Sequence, residues 1–253
     1  MSSLLISLLS ATIIFAGALL GLHLHRVLPR IQIDKDTQDV VRLGTGMLSV
    51  LASLVLGLLI ATAKTSFDTT NGEIRSYGAD LILLAENFRD YGPAAALPQA
   101  QLRRTTERLL AEDWPDTGSR RQMNENTELG AMMERVREEI RALKPIDDGQ
   151  RWLQNQMLEV STSLLRQRWL LVEQDEPSVR LVIVAVLVAW ITLIFVSFGL
   201  NAPRNPVVVG SLLICALAIG ASVFLILQLD RPFDGVMRVS SRPLVNALAH
   251  MPR

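Results

Sequence analysis

The chain contains one cysteine, Cys215, so no intramolecular disulfide can staple it. Cys215 falls inside a long apolar run, where a small core residue is the expected role rather than a reactive thiol. Histidine is scarce too: His23, His25 and His250 complete the set. His23 and His25 flank Leu24 with no carboxylate or cysteine at a ligand spacing, and helical positions i and i+2 point about 200° apart, so no metal site is expected. Acidic and basic residues balance at 25 each, so no basic field points to nucleic acid. There is no Walker loop and no Rossmann glycine pattern, which removes the common nucleotide cradles. No stretch alternates with period two, so strands are not supported.

Four further stretches lack Asp, Glu, Lys and Arg altogether. They are Leu4–Leu22, Leu43–Ala63, Leu181–Leu200 and Val207–Leu229. Each is about 20 residues, the length an α-helix needs to cross a bilayer's hydrocarbon. In lipid every peptide group must be satisfied within the segment, so these runs are expected to be helices. The first run is preceded by Met1-Ser2-Ser3, which offers no cation for a signal-peptide n-region, and it is longer than a usual h-region. It holds Gly17-x-x-x-Gly21, small residues that let two membrane helices approach closely. We read it as a retained span.

The expected fold class is therefore all-α and integral to the bilayer. Residues 1–63 carry spans one and two, at 4–22 and 43–63. A soluble helical domain covers 64–178, spans three and four follow at 181–200 and 207–229, and 230–253 form a tail. Four spans put both termini and the middle domain on one side. Near the span ends that side carries Lys64, Arg75, Arg166, Arg168, Arg180, Arg231, Arg238 and Arg242; the other carries Arg26, Arg30, Lys35, Arg42 and Arg204. The excess points to a cytoplasmic middle domain in a cell membrane.

Within that domain, Ile74, Tyr77, Leu81, Leu84 and Phe88 step by three and four, the spacing of one helix face over Asp68–Tyr91. Gly92-Pro93 stops it, and 94–98 reads as a linker. A short helix is expected from Gln99 to about Glu112, broken by Trp114-Pro115-Asp116, with a loop over 116–124. Leu129, Met132 or Met133, Val136, Ile140 and Leu143 mark another, from near Asn126 to Pro145. Leu153, Met157, Val160 and Leu164 mark a last one, over Asp148–Glu173, with Pro177 before the third span. These stripes need cover from a bundle or from a second copy.

The second span carries the most suggestive pattern. Thr45, Ser49, Ser53, Leu56, Ile60 and Lys64 step by four, four, three, four and four. A ring of such faces could line a pore, with hydroxyls wetting the entrance, Leu56 and Ile60 forming a dewetting constriction, and Lys64 favouring anions. Close helix packing uses the same small hydroxylated residues, so the spacing leaves both readings open. After the fourth span, Asp230 sits at a helix C-terminus beside Arg231, Pro232 ends the helix, and Asp234-Gly235 favours a turn. A capped exit with a local ion pair is one reading; a membrane-proximal carboxylate pair contacting a cation or a neighbouring subunit is the other. Two carboxylates are sparse for a hard cation. The Asp230, Arg231, Asp234 set is the sole candidate for enzyme chemistry, so an enzyme is not expected, nor a cofactor.

Two stretches carry a family likeness. Leu56-Gly57-Leu58-Leu59-Ile60-Ala61-Thr62-Ala63-Lys64-Thr65-Ser66-Phe67-Asp68, with Glu73, Arg75 and Gly78, resembles the end of the second bestrophin helix and its cytosolic continuation. Leu229-Asp230-Arg231-Pro232-Phe233-Asp234-Gly235-Val236-Met237-Arg238-Val239-Ser240, then Pro243-Leu244, resembles the bestrophin-like membrane proteins of bacteria. The resemblance implies a pentameric anion channel in the bacterial inner membrane, lined by its second helix, with cytosolic termini and a cytosolic helical region. It departs at the neck, where Ser, Leu and Ile stand instead of bulky aromatic residues. It departs again after Pro232-Phe233, where Val236-Met237-Arg238 replaces a calcium-binding acidic run. Two functions remain: a homo-oligomeric channel for small ions, anions before cations, or a non-conducting scaffold whose helical domain binds a protein through the stripes at Ile74–Phe88 or Leu129–Leu143.

Overall fold

The computed structural model describes residues 3–27, 35–114, 127–173, 181–203, 205–233 and 236–252. Its elements are α1 (Ser3–Val27), α2 (Lys35–Tyr91), a 3₁₀ turn (Pro93–Ala95), α3 (Ala96–Asp113), α4 (Thr127–Ala142), α5 (Asp148–Glu173), α6 (Leu181–Asn201), α7 (Pro206–Leu229) and α8 (Arg242–His250). No strand occurs among the described residues. α1, α2, α6 and α7 are each long and apolar enough to cross a membrane. The loop expected over 116–124, Pro177 and the Asp234-Gly235 turn lie outside the described residues.

The chain divides into two compact units. One holds Met1–Ser66 and Ser178–Asp230; the other holds Phe67–Pro177 and Arg231–Arg253. The sequence suggests a second span and a separate helix from Asp68. The structure instead has one 57-residue helix, α2, whose residues after Ser66 belong to the second unit. Nothing between Ala63 and Glu73 breaks a helix: there is no proline, and Gly72 costs only about 1 kcal/mol. The helix stops at Gly92, whose φ of 100° is open to glycine and which precedes Pro93.

In the membrane unit α1 packs against α6 and α7. Lipid tails are as apolar as leucine, so close backbone approach is what holds such helices together. Glycine supplies it. A Cβ on Gly17 would come within 2.7 Å of Thr192 Cγ2, and one on Gly21 or Gly199 would collide with the facing backbone at Val196 or Ala18. The Gly17-x-x-x-Gly21 pair thus faces α6 of the same chain, Gly17 against Thr192 and Val196, Gly21 against Val196, Gly199 and Leu200. A Cβ on Gly220 would lie 2.8 Å from that of Ala11, which brings in α7. Asn205 starts α7: its side-chain carbonyl accepts from Val208 N–H at 2.8 Å, and Pro206 follows. Cys215 is exposed, contrary to the core role expected. The buried side of α7 runs through Ala216, Gly220, Val223 and Ile226, and Cys215 is turned away from it.

The second unit has its own core. Ile74, Tyr77, Leu81, Leu84 and Phe88 of α2 are all buried in it, as are Leu129, Met133, Val136 and Ile140 of α4 and Met157, Val160 and Leu164 of α5. Each fully buried leucine contributes about 1.5–3 kcal/mol by leaving water. Polar groups tie the core's edge. The Gln154 amide donates to the carbonyls of Ile140 (2.8 Å) and Leu143 (3.0 Å), closing the end of α4. Asp80 accepts from Ser163 at 3.0 Å and Gln167 at 2.7 Å, tying α2 to α5.

The C-terminal stretch, expected as a tail by itself, clusters with this domain. Leu244 and Ala247 of α8 are buried in the same core, and the Arg103 guanidinium donates to the Met251 carbonyl at 2.9 Å.

Candidate functional site

Six residues of α2 were candidates for a pore face. The covered side of α2 in the membrane unit runs through Ala52, Leu59 and Ala63, all buried. Ser53, Ile60 and Lys64 each follow one of these by a single residue, a rotation of about 100°. The candidate stripe therefore follows the border between the covered and free sides. Thr45 and Ser49 are half-buried at one end, Leu56 and Ile60 are half-buried further along, and Ser53 and Lys64 are exposed. The free side carries Val50, Leu54 and Leu58, with Gly44, Gly46 and Gly57 facing open space.

The hydroxyl end is engaged within the protomer. Thr45 Oγ1 donates to the Val41 carbonyl at 2.7 Å, and Ser49 Oγ donates to the Thr45 carbonyl at 2.8 Å. Thr45 Oγ1 also lies 2.9 Å from Ser197 Oγ of α6. These groups line a cavity of about 400 Å³ together with Arg42, Phe198 and Asn201. Sequence spacing singled out Thr45 and Ser49 but not Ser197 or Asn201. The only local hint was a polar pair four apart at the end of the third apolar run.

The motif after the fourth span begins as a capped helix exit, one of the two readings the sequence left open. Asp230 is the C-cap of α7, its N–H donating to the Ile226 carbonyl at 3.0 Å. Arg231 is exposed. The Pro232 carbonyl accepts from Val239 N–H at 2.7 Å, closing a loop. Phe233 is buried and meets Trp114 edge-on, with ring centroids 5.6 Å apart at 73°. Asp234 lies outside the described residues. Pro232 and Phe233 thus anchor the tail to the helical domain. Gly78 and Pro243, distant parts of the family likeness, meet there: a Cβ on Gly78 would lie 2.7 Å from that of Pro243. Among the described residues no group of three His, Cys, Asp or Glu could hold a metal ion.

In the helical domain burial and the nearby Asp147 carboxylate raise the pKa of the Tyr91 hydroxyl, and a hydrogen bond to Glu112 raises that of the Arg108 guanidinium. Burial raises the Glu139 carboxyl above the usual range, and its Oε2 has no hydrogen-bond partner.

These features define an all-α membrane protein of four spanning helices, with a helical domain inserted between the second and third. Residues 12–244 match the model of the Bestrophin-like domain, and the chain belongs to that family. Two solved structures share the fold, both single-substitution variants of a bacterial Bestrophin homolog from Klebsiella pneumoniae. One is 12% identical with a TM-score of 0.69, covering 99% of this chain and 97% of that one. The other is 11% identical with a TM-score of 0.66, covering 96% and 97%. No curated protein matches the sequence. Family and fold place the chain among channel-like membrane proteins.

Proposed function

We propose that this protein is a homo-oligomeric channel for small ions, anions before cations, in which α2 lines the pore. The carrying observation is how little of α2 its own protomer covers. In its most apolar 18-residue window 17% is buried, against 33% in α6 and 39% in α1 and α7. The free side carries no charged residue between Leu43 and Ala63 and presents glycines that admit close approach of another helix. In a ring, Leu56 and Ile60 form the apolar constriction and Ser53 wets it, while Lys64 attracts anions to one mouth. By analogy with bestrophins the ring is a pentamer, and by the lysine and arginine balance the helical domain and both termini are cytoplasmic, in a bacterial inner membrane.

Purified protein in liposomes should pass chloride more readily than sodium, and Leu56→Ala should raise the leak. Vesicles that stay tight to both ions, with no leak from Leu56→Ala, would overturn the proposal. So would a monomer in lipid nanodiscs, because four spans enclose no aqueous pore alone.

A scaffold is the second reading, and it moves to a new surface. The stripes at Ile74–Phe88 and Leu129–Leu143 cannot serve it, because the domain's own core consumes them. On α5, Trp152 and Leu170 lie five turns apart on one line, 62% and 45% exposed. A protein that co-purifies stoichiometrically and is lost in Trp152→Ala, from a non-conducting chain, would favour this reading.

A further inference from the structure

We propose that the cavity between α2 and α6 is a phosphate-binding site that takes the headgroup of a membrane phospholipid. The argument starts from hydrogen-bond bookkeeping. The single protons of Thr45 and Ser49 are spent on the carbonyls of Val41 and Thr45. The 2.9 Å contact between Thr45 Oγ1 and Ser197 Oγ then takes its proton from Ser197. Ser49 and Ser197 keep both lone pairs as acceptors, and Thr45 keeps one. Asn201 spends one amide N–H on the Ser197 carbonyl at 2.9 Å, and its second is left over. Arg42 is exposed and has no carboxylate partner among the described residues; Asp39, three residues earlier on the same helix, does not pair with it. The cavity therefore offers one planar guanidinium, one amide donor and a set of hydroxyl acceptors.

A guanidinium beside an amide N–H recognises an oxyanion in two-pronged fashion. Hydroxyl acceptors next to it recognise a ligand that brings hydrogen-bond donors beside its negative charge. A phosphodiester bearing glycerol or ethanolamine has both. The volume, about 400 Å³, lies within the roughly 300–1,000 Å³ of ordinary ligand sites. Location supplies the rest. Arg42 immediately precedes Leu43, where the second apolar run begins, and Asn201 immediately follows Leu200, where the third ends. Both stand at the same edge of the hydrocarbon, the depth of lipid phosphates. Phe198, 47% exposed on the cavity wall, gives the first acyl carbons an apolar surface. The site lies within one protomer and does not depend on conduction.

Native mass spectrometry of the full-length protein in detergent, titrated with phosphatidylglycerol, tests the assignment. The wild type should hold one lipid per protomer. Arg42→Gln should weaken that binding about tenfold or more, Arg42→Lys by less, and Lys64→Gln should leave it unchanged. Phosphatidylcholine, which lacks a headgroup hydrogen donor, should bind several-fold more weakly. In a parallel arm inorganic phosphate is titrated calorimetrically. If phosphate binds wild type and not Arg42→Gln, and phosphatidylglycerol fails to displace it, the phosphate site stands but its source is soluble. Equal lipid and phosphate binding by wild type and by both Arg42 variants, all monodisperse and helical by circular dichroism, would overturn the proposal.

Discussion

The indole Nε1–H of Trp114 donates to the main-chain carbonyl of Val239 at 2.9 Å, across 125 residues of sequence. The same ring meets Phe233 edge-on, so one side chain at the end of α3 fastens the segment that leaves the fourth span. The Pro-Phe pair is a structural anchor here.

Trp114→Phe keeps an aromatic ring against Phe233 and removes only the donor. It should cost about 0.5–1.5 kcal/mol. Phe233→Ala removes a buried ring and should cost about 3–5 kcal/mol. Thermal unfolding gives the order, and hydrogen exchange over 236–252 should rise in both variants. No gain in exchange there would show the tail to be held by other contacts.

Gly199→Ala places a methyl against the backbone of α1, and overpacking of this kind costs about 1–3 kcal/mol. Gly57→Ala faces open space in the protomer and should leave its unfolding temperature unchanged or slightly raised. If Gly57→Ala instead lowers the oligomeric order measured by light scattering in detergent, that face is occupied by a second copy.

Burial raises the Glu139 carboxyl, so the folded state holds that proton more tightly than the unfolded chain does. Its contribution to stability is then greatest below the unfolded value, about 4.3, and falls away as pH rises through the raised folded value. Glu139→Gln removes a charge penalty that exists only at higher pH. The variant should melt above wild type near pH 7, and the difference should shrink as pH falls towards about 4. A difference that stays constant over that range would mean that desolvation is not what penalises the carboxylate.

Asn205→Ala deletes the acceptor for Val208 N–H at the start of α7 and should cost about 1 kcal/mol. Asn205→Asp keeps an acceptor and should recover most of it. Comparing the two melting temperatures separates the cap from a general effect of substitution in the turn.

Much of the fold can be read along the chain because the relevant forces act locally. Leu181–Leu200 and Val207–Leu229 have the length and apolarity of spans whatever surrounds them, and the observed helices end within a residue or so of those limits. The stripe Ile74–Phe88 was legible because a three-four repeat must face a core. Other features were not legible. The join between the second span and that stripe reads as a boundary because polarity changes at Lys64, yet polarity does not break a helix. Cys215 was misplaced because an apolar run does not say which of its sides meets protein. Gly17-x-x-x-Gly21 packs on the stretch from Thr192 to Leu200, and no spacing links residues so far apart.

The candidate site divides in the same way. The hydroxyl periodicity of Thr45 and Ser49 is a local property, and the sequence carries it openly. That these hydroxyls meet Ser197 and Asn201, with Arg42 at the rim, depends on α2 lying beside α6. Transfer into lipid is nearly additive over residues, so composition alone determined that this chain spans a membrane, where it does so, and that those spans are helices. Packing is pairwise and long-range, so only the tertiary structure decided which side of α2 is covered, where the tail docks, and which polar groups share a cavity.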